Sequence, residues 1–364
     1  MSRPDIAEHT FSSPRHRLMA RWALVAVVLA VVVIMLGAWT RLVHAGLGCP
    51  DWPGCYGFLT VPQDAASIAI AEARFPDSPV DVSKGWPEMI HRYAAGILGL
   101  VVFGLAFYGF RHRREGVPYK LPIALAAFIL LQGAFGMWTV TLKLWPQVVA
   151  LHLLGGFTTL TLLTLLTLRL WGKRSEKRPS AVPAIARLRP WLYGGIALVV
   201  MQIALGAWTA ANYAAVACTD LPTCQGQWWP EMDFVHGFDV TQSVGPNYLG
   251  GQLMAEGRVA IHVTHRIGAM VVLVYLAALL AALWRCGKQV RLRGAIALAA
   301  AALVGQILLG LGNVLLNVPL AIAVAHNALG AGLLLTLVHL MWRLHGYHLG
   351  IQVQPTTIKN EATA

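Results

Sequence analysis

Eight runs of predominantly apolar residues punctuate the chain, near 20–43, 88–110, 120–142, 148–171, 190–212, 257–284, 293–315 and 319–344. Each reaches the roughly 20 residues that a helix needs to cross the hydrocarbon core of a bilayer. The pattern therefore predicts eight transmembrane helices. The first run is too long and too far from the N-terminus for a signal peptide, and no small-residue cleavage site follows it. Between the first two runs, "DAASIAIAEARF" (64–75) mixes apolar and polar positions as a helix does. An ordinary loop helix is the preferred reading of it, over a cover on the site below. The chain up to about Arg17 and beyond Gly350 reads as short disordered ends.

The runs repeat. "GAWTRLVHAGLGCPDWPGC" (37–55) returns as "GAWTAANYAAVACTDLPTC" (206–224), so Gly37 and Gly206, Cys49 and Cys218, and Cys55 and Cys224 are each 169 residues apart. Further along the offset is 174: Gln132 and Gly136 match Gln306 and Gly310, His91-Arg92 matches His265-Arg266, and His152 matches His326. Five extra residues in the second half's first long connection account for the change. Four crossings return a chain to its starting side, so the two units share one orientation, unlike the inverted repeats of many transporters. The expected fold is an all-α membrane protein with eight transmembrane helices as two same-orientation four-helix repeats. Its expected parts are an N-terminal tail (1–19), a first repeat (20–171), a basic linker (172–189), a second repeat (190–345) and a C-terminal tail (346–364). The Gln-x-x-x-Gly spacing at 132/136, 202/206 and 306/310 puts a small residue one turn from a hydrogen-bonding one, and close helix packing is preferred over a ligand role.

Composition agrees with the pattern. Of 364 residues, 57% are hydrophobic and 12% charged, with a mean hydropathy of +0.61, about half the charged fraction of a soluble domain. The net charge of +12 does not mark a nucleic-acid binder, because it is confined to alternate connections. Arg15, Arg17 and Arg21, then Arg111, Arg113, Arg114 and Lys120, then Lys173, Arg174, Lys177 and Arg178, and finally Arg285, Lys288, Arg291 and Arg293 form the basic sets. The long intervening connections carry Asp51, Asp64, Glu72, Asp77 and Asp81, or Asp220, Glu231, Asp233 and Asp239. The positive-inside rule then places both termini in the cytoplasm and the cysteine-bearing loops outside.

Four of the five cysteines fall on that outer side, where disulfides persist; Cys286, at the cytoplasmic end of the sixth run, is expected to be a free thiol. Four cysteines allow three pairings. The matched Cys-x5-Cys spacing favours Cys49–Cys55 and Cys218–Cys224. Rings this small add modest chain-entropy stabilisation, which points to loop shape or redox chemistry as their purpose.

Ionisable residues inside membrane helices are costly and mark function. His91, His152, His265 and His326 occupy repeat-matched positions, one on each even-numbered helix and each a turn or two inside the outer end. Pro87, Pro146 and Pro319 mark three of those ends. Two histidines at equal depth on neighbouring helices suit the two faces of a flat iron macrocycle. They suit a tetrahedral zinc site less well, and a proton relay, which must run across the membrane, less well still. Arg92 and Arg266 follow two of these histidines and divide evenly between pairing with porphyrin propionates and snorkelling to the interface. Glu88 shares a helix face with His91, and the matched position in the second half is His262. Glu88 reads either as an acidic first-turn residue after Pro87 or as a carboxylate that moves a proton or stabilises developing charge. His262 reads as a packing or supporting residue.

Four-plus-four helices, a histidine on each even helix, Glu-x-x-His-Arg from Glu88 to Arg92 and a cysteine pair in the first outer loop together resemble the haem A synthase family, over about residues 20–345. The resemblance implies an oxidoreductase of the bacterial inner membrane that converts haem O to haem A by successive hydroxylations of one methyl group and loss of water. It implies that His91 and His152 hold substrate haem O in the first repeat, and that His265 and His326 hold a haem b cofactor, by its iron, in the second. Glu88 then matches the family's important glutamate, and Cys49 and Cys55 its functional first-loop pair, while Cys218 and Cys224 read as a structural disulfide. Haem O synthase and a membrane electron donor are the implied partners. The chain carries no Gly-rich phosphate loop and no aspartate-rich diphosphate motif, which argues against the prenyl-transferring step that precedes this one. A two-haem b-type cytochrome that passes electrons without substrate chemistry is the alternative, and a transporter or haem chaperone is a third class.

Overall fold

A computed structural model describes residues 13–174, 183–287, 292–345 and 347–349. Eight of its helices are long and apolar enough to cross a membrane: α1 (Pro14–Leu42), α2 (Val82–Arg111), α3 (Lys120–Thr141), α4 (Pro146–Trp171), α5 (Pro183–Ala211), α6 (Ala255–Gly287), α7 (Arg293–Leu315) and α8 (Leu320–Leu344). Large apolar side chains such as Leu100, Phe107 and Val274 are 70% or more exposed on their flanks. A water-facing surface of that kind is unfavourable, and a multi-pass membrane protein presents it to lipid.

In the first half α1 packs on α2 and α4, and α3 packs on the same two, closing a four-helix ring. In the second half α5 and α7 each pack on α6 and α8 in the same way. The halves meet where α4 packs on α5 and where α8 packs on α1 and α4. Each ring has its own core. The first is built on Ala23 and Ala26 of α1, whose small side chains let Val102 of α2 and Leu163 and Leu166 of α4 approach closely; the second is built on Leu276, Leu283, Leu337 and Leu340. This arrangement is consistent with two like-oriented repeats. So is the backbone: the left-handed residues His44, Tyr56, Lys143 and Leu144 recur as Tyr213, Gln225, Asn317 and Val318 at the two sequence offsets.

Several boundaries differ from the apolar runs because polar caps extend the helices. The Ser13 side chain accepts from His16 N, so α1 starts at Pro14, inside the stretch expected to be a tail. Asp81 caps α2 by accepting from the Ser83 and Lys84 amides, which leaves Pro87 inside the helix rather than at its end. The Pro87 carbonyl accepts 3.0 Å from the Thr40 hydroxyl of α1. α5 begins at Pro183 and runs through Pro190, so part of the expected linker is helical. At the basic end, strand β1 (Gly172–Arg174) pairs antiparallel with β2 (Tyr347–Leu349), the one non-helical pairing between elements among the described residues. Lys177, Arg178, Lys288, Arg291 and both chain ends lie outside the described residues.

The opposite end carries the two cysteine loops. Disulfides join Cys49 to Cys55 and Cys218 to Cys224, as the spacing predicts, and Cys286 is free. Each ring is closed by one aspartate. Asp51 accepts from the amides of Tyr56 (2.6 Å) and Gly57 (2.7 Å). Asp220 accepts from the Thr223 hydroxyl (2.5 Å) and the amides of Gln225 (2.8 Å) and Gly226 (3.0 Å). The helix expected in 64–75 runs from Ala65 to Arg74 under an Asp64 cap, and its Ala71 packs against the first disulfide. The longer second loop crosses over the first half: Gln147 donates to the Val240 carbonyl (3.0 Å), Trp145 Nε1 to that of Gln242 (2.9 Å), and the Tyr248 amide to that of Lys143 (3.0 Å).

Leu163 is fully buried and Leu100 is 74% exposed. Leu163→Ala should cost about 2–5 kcal/mol in a reversible unfolding titration in mixed micelles, and Leu100→Ala should stay within about 0.5 kcal/mol. Equal losses would refute the lipid-facing assignment of the Leu100 surface. The Thr223 hydroxyl and the Gly226 and Gln225 amides hold the Asp220 carboxyl down at about 2. A depressed carboxylate stabilises the folded loop above its ordinary value near 4 and loses that contribution as pH falls through the folded value. Amide exchange, corrected for intrinsic rate, should therefore show Gln225 and Gly226 protected at pH 5 and opening towards pH 2, with Asp220→Asn already open at pH 5.

Candidate functional site

Each of the four sequence-predicted histidines rests on a glycine of the helix before it. A Cβ built on Gly37 of α1 would lie 3.0 Å from Cε1 of His91, and one on Gly136 of α3 would lie 3.2 Å from that of His152. Gly206 of α5 and Gly310 of α7 stand 3.2 Å from Cε1 of His265 and His326 in the same way. Any larger residue would push the imidazole aside. The glycines read from sequence as helix-packing positions are therefore histidine seats as well.

The partner glutamines fix the histidine-bearing helices. Gln132 Nε2 donates to the His152 carbonyl at 2.9 Å. Gln202 Nε2 reaches both the carbonyl (2.8 Å) and Nδ1 (3.0 Å) of His265. Gln306 Nε2 lies 3.3 Å from His326 Nε2. The matching place beside His91, one turn before Gly37, is Val33, so that histidine lacks a glutamine.

The structure sets the histidines on diagonal helices of each ring rather than on the neighbouring helices expected from the sequence. His91 and His152 sit on α2 and α4, which stand diagonally in the first ring, and His265 and His326 sit on the diagonal α6 and α8 of the second. Within each pair the imidazoles are close enough to act on one another electrostatically. Nδ1 of His91, His152 and His326 is enclosed by protein, and the backbone carbonyls of Val33, Gln132 and Gln306, one turn before the seating glycines, lie beside these rings. An imidazole that gives one N–H to a carbonyl keeps its other nitrogen for a ligand. Among the described residues no three His, Cys, Asp or Glu side chains converge, which leaves a tetrahedral zinc site without ligands. Facing imidazoles on diagonal helices, seated on glycine, do fit the two faces of an iron porphyrin.

Glu88 is buried, 4% exposed. Because α2 begins at Val82, Glu88 lies beyond the first turn, and the reading of it as a helix-start residue is corrected. Oε1 pairs with Arg92 Nη2 at 2.5 Å, and Oε2 accepts the Cys49 amide at 3.0 Å. Arg92 Nη1 donates onward to the carbonyls of Asp51 (2.9 Å), Pro53 (3.3 Å) and Gly54. The first disulfide loop is thus stitched to α2 through Glu88 and Arg92, directly beside His91. Both cysteines of that loop are fully buried.

The second half copies the stitch without the acid. Arg266 donates to the carbonyls of Thr223 and Cys218, each at 2.9 Å. His262, in place of Glu88, is buried, with Nδ1 3.0 Å from the Ala214 carbonyl. Both arginines hold loop carbonyls in this structure, and contact with a propionate would require them to release those acceptors. Sequence reasoning missed one further cluster. Arg41 reaches across the joint between the halves, placing its guanidinium 3.9 Å from the Tyr213 ring centroid, and His44 stacks on the same ring at 5.6 Å. The signal was available: the two copies of the repeated passage differ at these positions, Arg41 against Ala210 and His44 against Tyr213.

Comparison with known proteins agrees with this architecture. Residues 20–338 match the COX15-CtaA family model, described as cytochrome oxidase assembly protein. A heme A synthase of Shewanella oneidensis is 42% identical over 318 residues, covering 87% of this chain and 94% of the relative. Those of Rhodospirillum centenum and Rhizorhabdus wittichii are 30% and 28% identical, covering 92% and 94% of this chain and 89% and 97% of their own lengths. With the family model matched over most of its length and a full-length relative at that identity, the chain belongs to the COX15-CtaA family of cytochrome oxidase assembly proteins.

Proposed function

We propose that the protein is a haem A synthase, a multi-pass oxidoreductase of the bacterial inner membrane that oxidises a methyl group of haem O to a formyl group. His91 and His152 hold the substrate in the first ring, and His265 and His326 hold a haem b in the second. When bound, the two iron porphyrins supply the redox chemistry. The protein's residues seat, orient and enclose them. Both termini face the cytoplasm and the disulfide loops face outside, in keeping with the basic connections at the other end. Haem O synthase as the supplier of substrate and a membrane electron donor complete the proposed partners.

One observation carries the assignment of roles: the rings match in histidines, glycines and disulfides, yet only the first places a carboxylate beside its ligand. Glu88 is one turn from His91, buried, and held at both oxygens by Arg92 and the Cys49 amide. A carboxylate fixed in that way keeps one orientation and can take a proton or stabilise positive charge developing near the ring it faces. In the second ring His262 occupies the matching place and hydrogen-bonds its own loop, which suits a porphyrin that is retained rather than altered. A b-type cytochrome that only passes electrons has no use for that asymmetry.

Haem extraction and chromatography from cells supplied with haem O tests the reading. Wild type should yield haem A or its hydroxylated precursor. Glu88→Gln, and more severely Glu88→Ala, should retain bound porphyrin by Soret absorbance while conversion falls by about 10²–10⁴-fold. Full conversion in both variants would remove Glu88 from the chemistry, and an absence of oxidised haem from wild type would favour the cytochrome.

A further inference from the structure

Arg41 is a cation without a counter-ion. Among the described residues no carboxylate lies within ion-pair distance of it, whereas Arg92 has Glu88 and Arg266 feels the charge of Asp220. Its terminal nitrogens are spent on neutral acceptors: Nη1 on the Tyr213 hydroxyl, and Nη2 on the carbonyls of Ala210 (2.9 Å) and Ala211 (3.0 Å) at the end of α5. Nε is buried with no partner at all. The α5 carbonyls offset part of the charge, as helix C-termini do, but they cannot receive the Nε proton. A partly buried guanidinium that no carboxylate neutralises favours an anion.

Its position says which anion. Arg41 lies one turn beyond Gly37, the seat of His91, about 6 Å further along α1 at the α-helical rise, towards the disulfide-loop end. It also touches the last turn of α5, the helix whose Gly206 seats His265. The second half offers Ala210 and Tyr213 where the first has Arg41 and His44, so the joint holds one such cation rather than two. We infer that Arg41, backed by Tyr213 and His44, is a carboxylate-binding site at the seam of the two rings, and that its ligand is a propionate of the porphyrin seated by His91. This rests on the two-porphyrin reading above. It moves the propionate contact from Arg92, whose terminal nitrogens are committed to Glu88 and the first loop, to an arginine whose terminal nitrogens meet only neutral acceptors. Because the same guanidinium ties down the end of α5, a porphyrin in the first ring would be felt at the joint with the second.

The test compares two probes on the purified full-length protein, iron protoporphyrin IX and its dimethyl ester, titrated by Soret absorbance. Wild type should bind the free acid about tenfold or more tightly than the ester, the scale of one charge-assisted hydrogen bond. Arg41→Leu should erase that preference while leaving ester affinity unchanged. Arg41→Lys, which keeps the charge but not the planar fork, should retain a reduced preference. Three results overturn the inference: equal binding of both probes by wild type, a full preference surviving in Arg41→Leu, or an equal weakening of both probes in that variant, which would make Arg41 a structural tie only. If Arg41→Leu does not survive purification, the wild-type comparison and Arg41→Lys decide the matter, an undiminished preference in the lysine variant counting against the site. Failure of wild type to take up either porphyrin would sink the two-porphyrin reading together with this one, whereas the other negative results leave that reading standing.

Discussion

An imidazole resting on a glycine, made four times, is the contact from which the rest of this structure is organised. A membrane helix gains little by packing against another through apolar surface alone, since lipid is as apolar as leucine. Small residues are what let two backbones approach. Here the approach is used to set Cε1 of a histidine ring against Gly37, Gly136, Gly206 or Gly310 and so hold the ring in place. The glutamines at 132, 202 and 306 then tie down the histidine-bearing helix. Each ring is built so that its diagonal helices, rather than its neighbours, face the centre with a nitrogen. Closing that gap with leucines would give a better-packed bundle and no site.

Given two such rings, function requires that they differ, and the differences lie at the disulfide-loop end. The first loop is drawn onto α2 by a buried ion pair, while the second is drawn onto α6 by Arg266 and His262, which hydrogen-bond its backbone carbonyls. A buried carboxylate is expensive unless its charge is met, and Glu88 is met by Arg92 and by the backbone of the disulfide loop. The cysteines are thereby linked to the acid through Cys49 itself. Whatever shapes the first loop also sets where Glu88 points. The second loop has no acid to aim and instead reaches over the α3–α4 connection and the start of α4, tying the halves together.

Much of this was legible in the sequence. The eight spans, the two offsets, the disulfide pairs and the histidines all stand in positions that composition and periodicity reveal, because bilayer thickness and helix rise leave few alternatives. What the apolar runs obscured were the helix starts. Asp81 and Ser13 extend α2 and α1 by polar capping that hydropathy does not register, and Pro87 looks like a boundary only because its place inside a capped helix cannot be seen from its neighbours. The role of Arg92 was obscured for a different reason. An arginine after a ligand reads as a partner for the ligand's own charges, whereas the fold brings loop carbonyls 38 to 41 residues away in sequence onto its guanidinium.

The same reasoning explains why Arg41 escaped notice. Repeat analysis rewards matches, and Arg41 is a mismatch: its counterpart is an alanine. In a duplicated protein the matched positions carry what both halves must do, which is to seat a planar ligand between diagonal helices. The unmatched polar positions carry what only one half does, or what is done between them. Glu88 against His262 is the first kind of difference, and Arg41 and His44 against Ala210 and Tyr213 are the second. Both lie within two turns of His91 or its glycine seat. The chemical asymmetry of the two rings and the contact that joins them are therefore concentrated in one small region at the disulfide-loop end of the bundle.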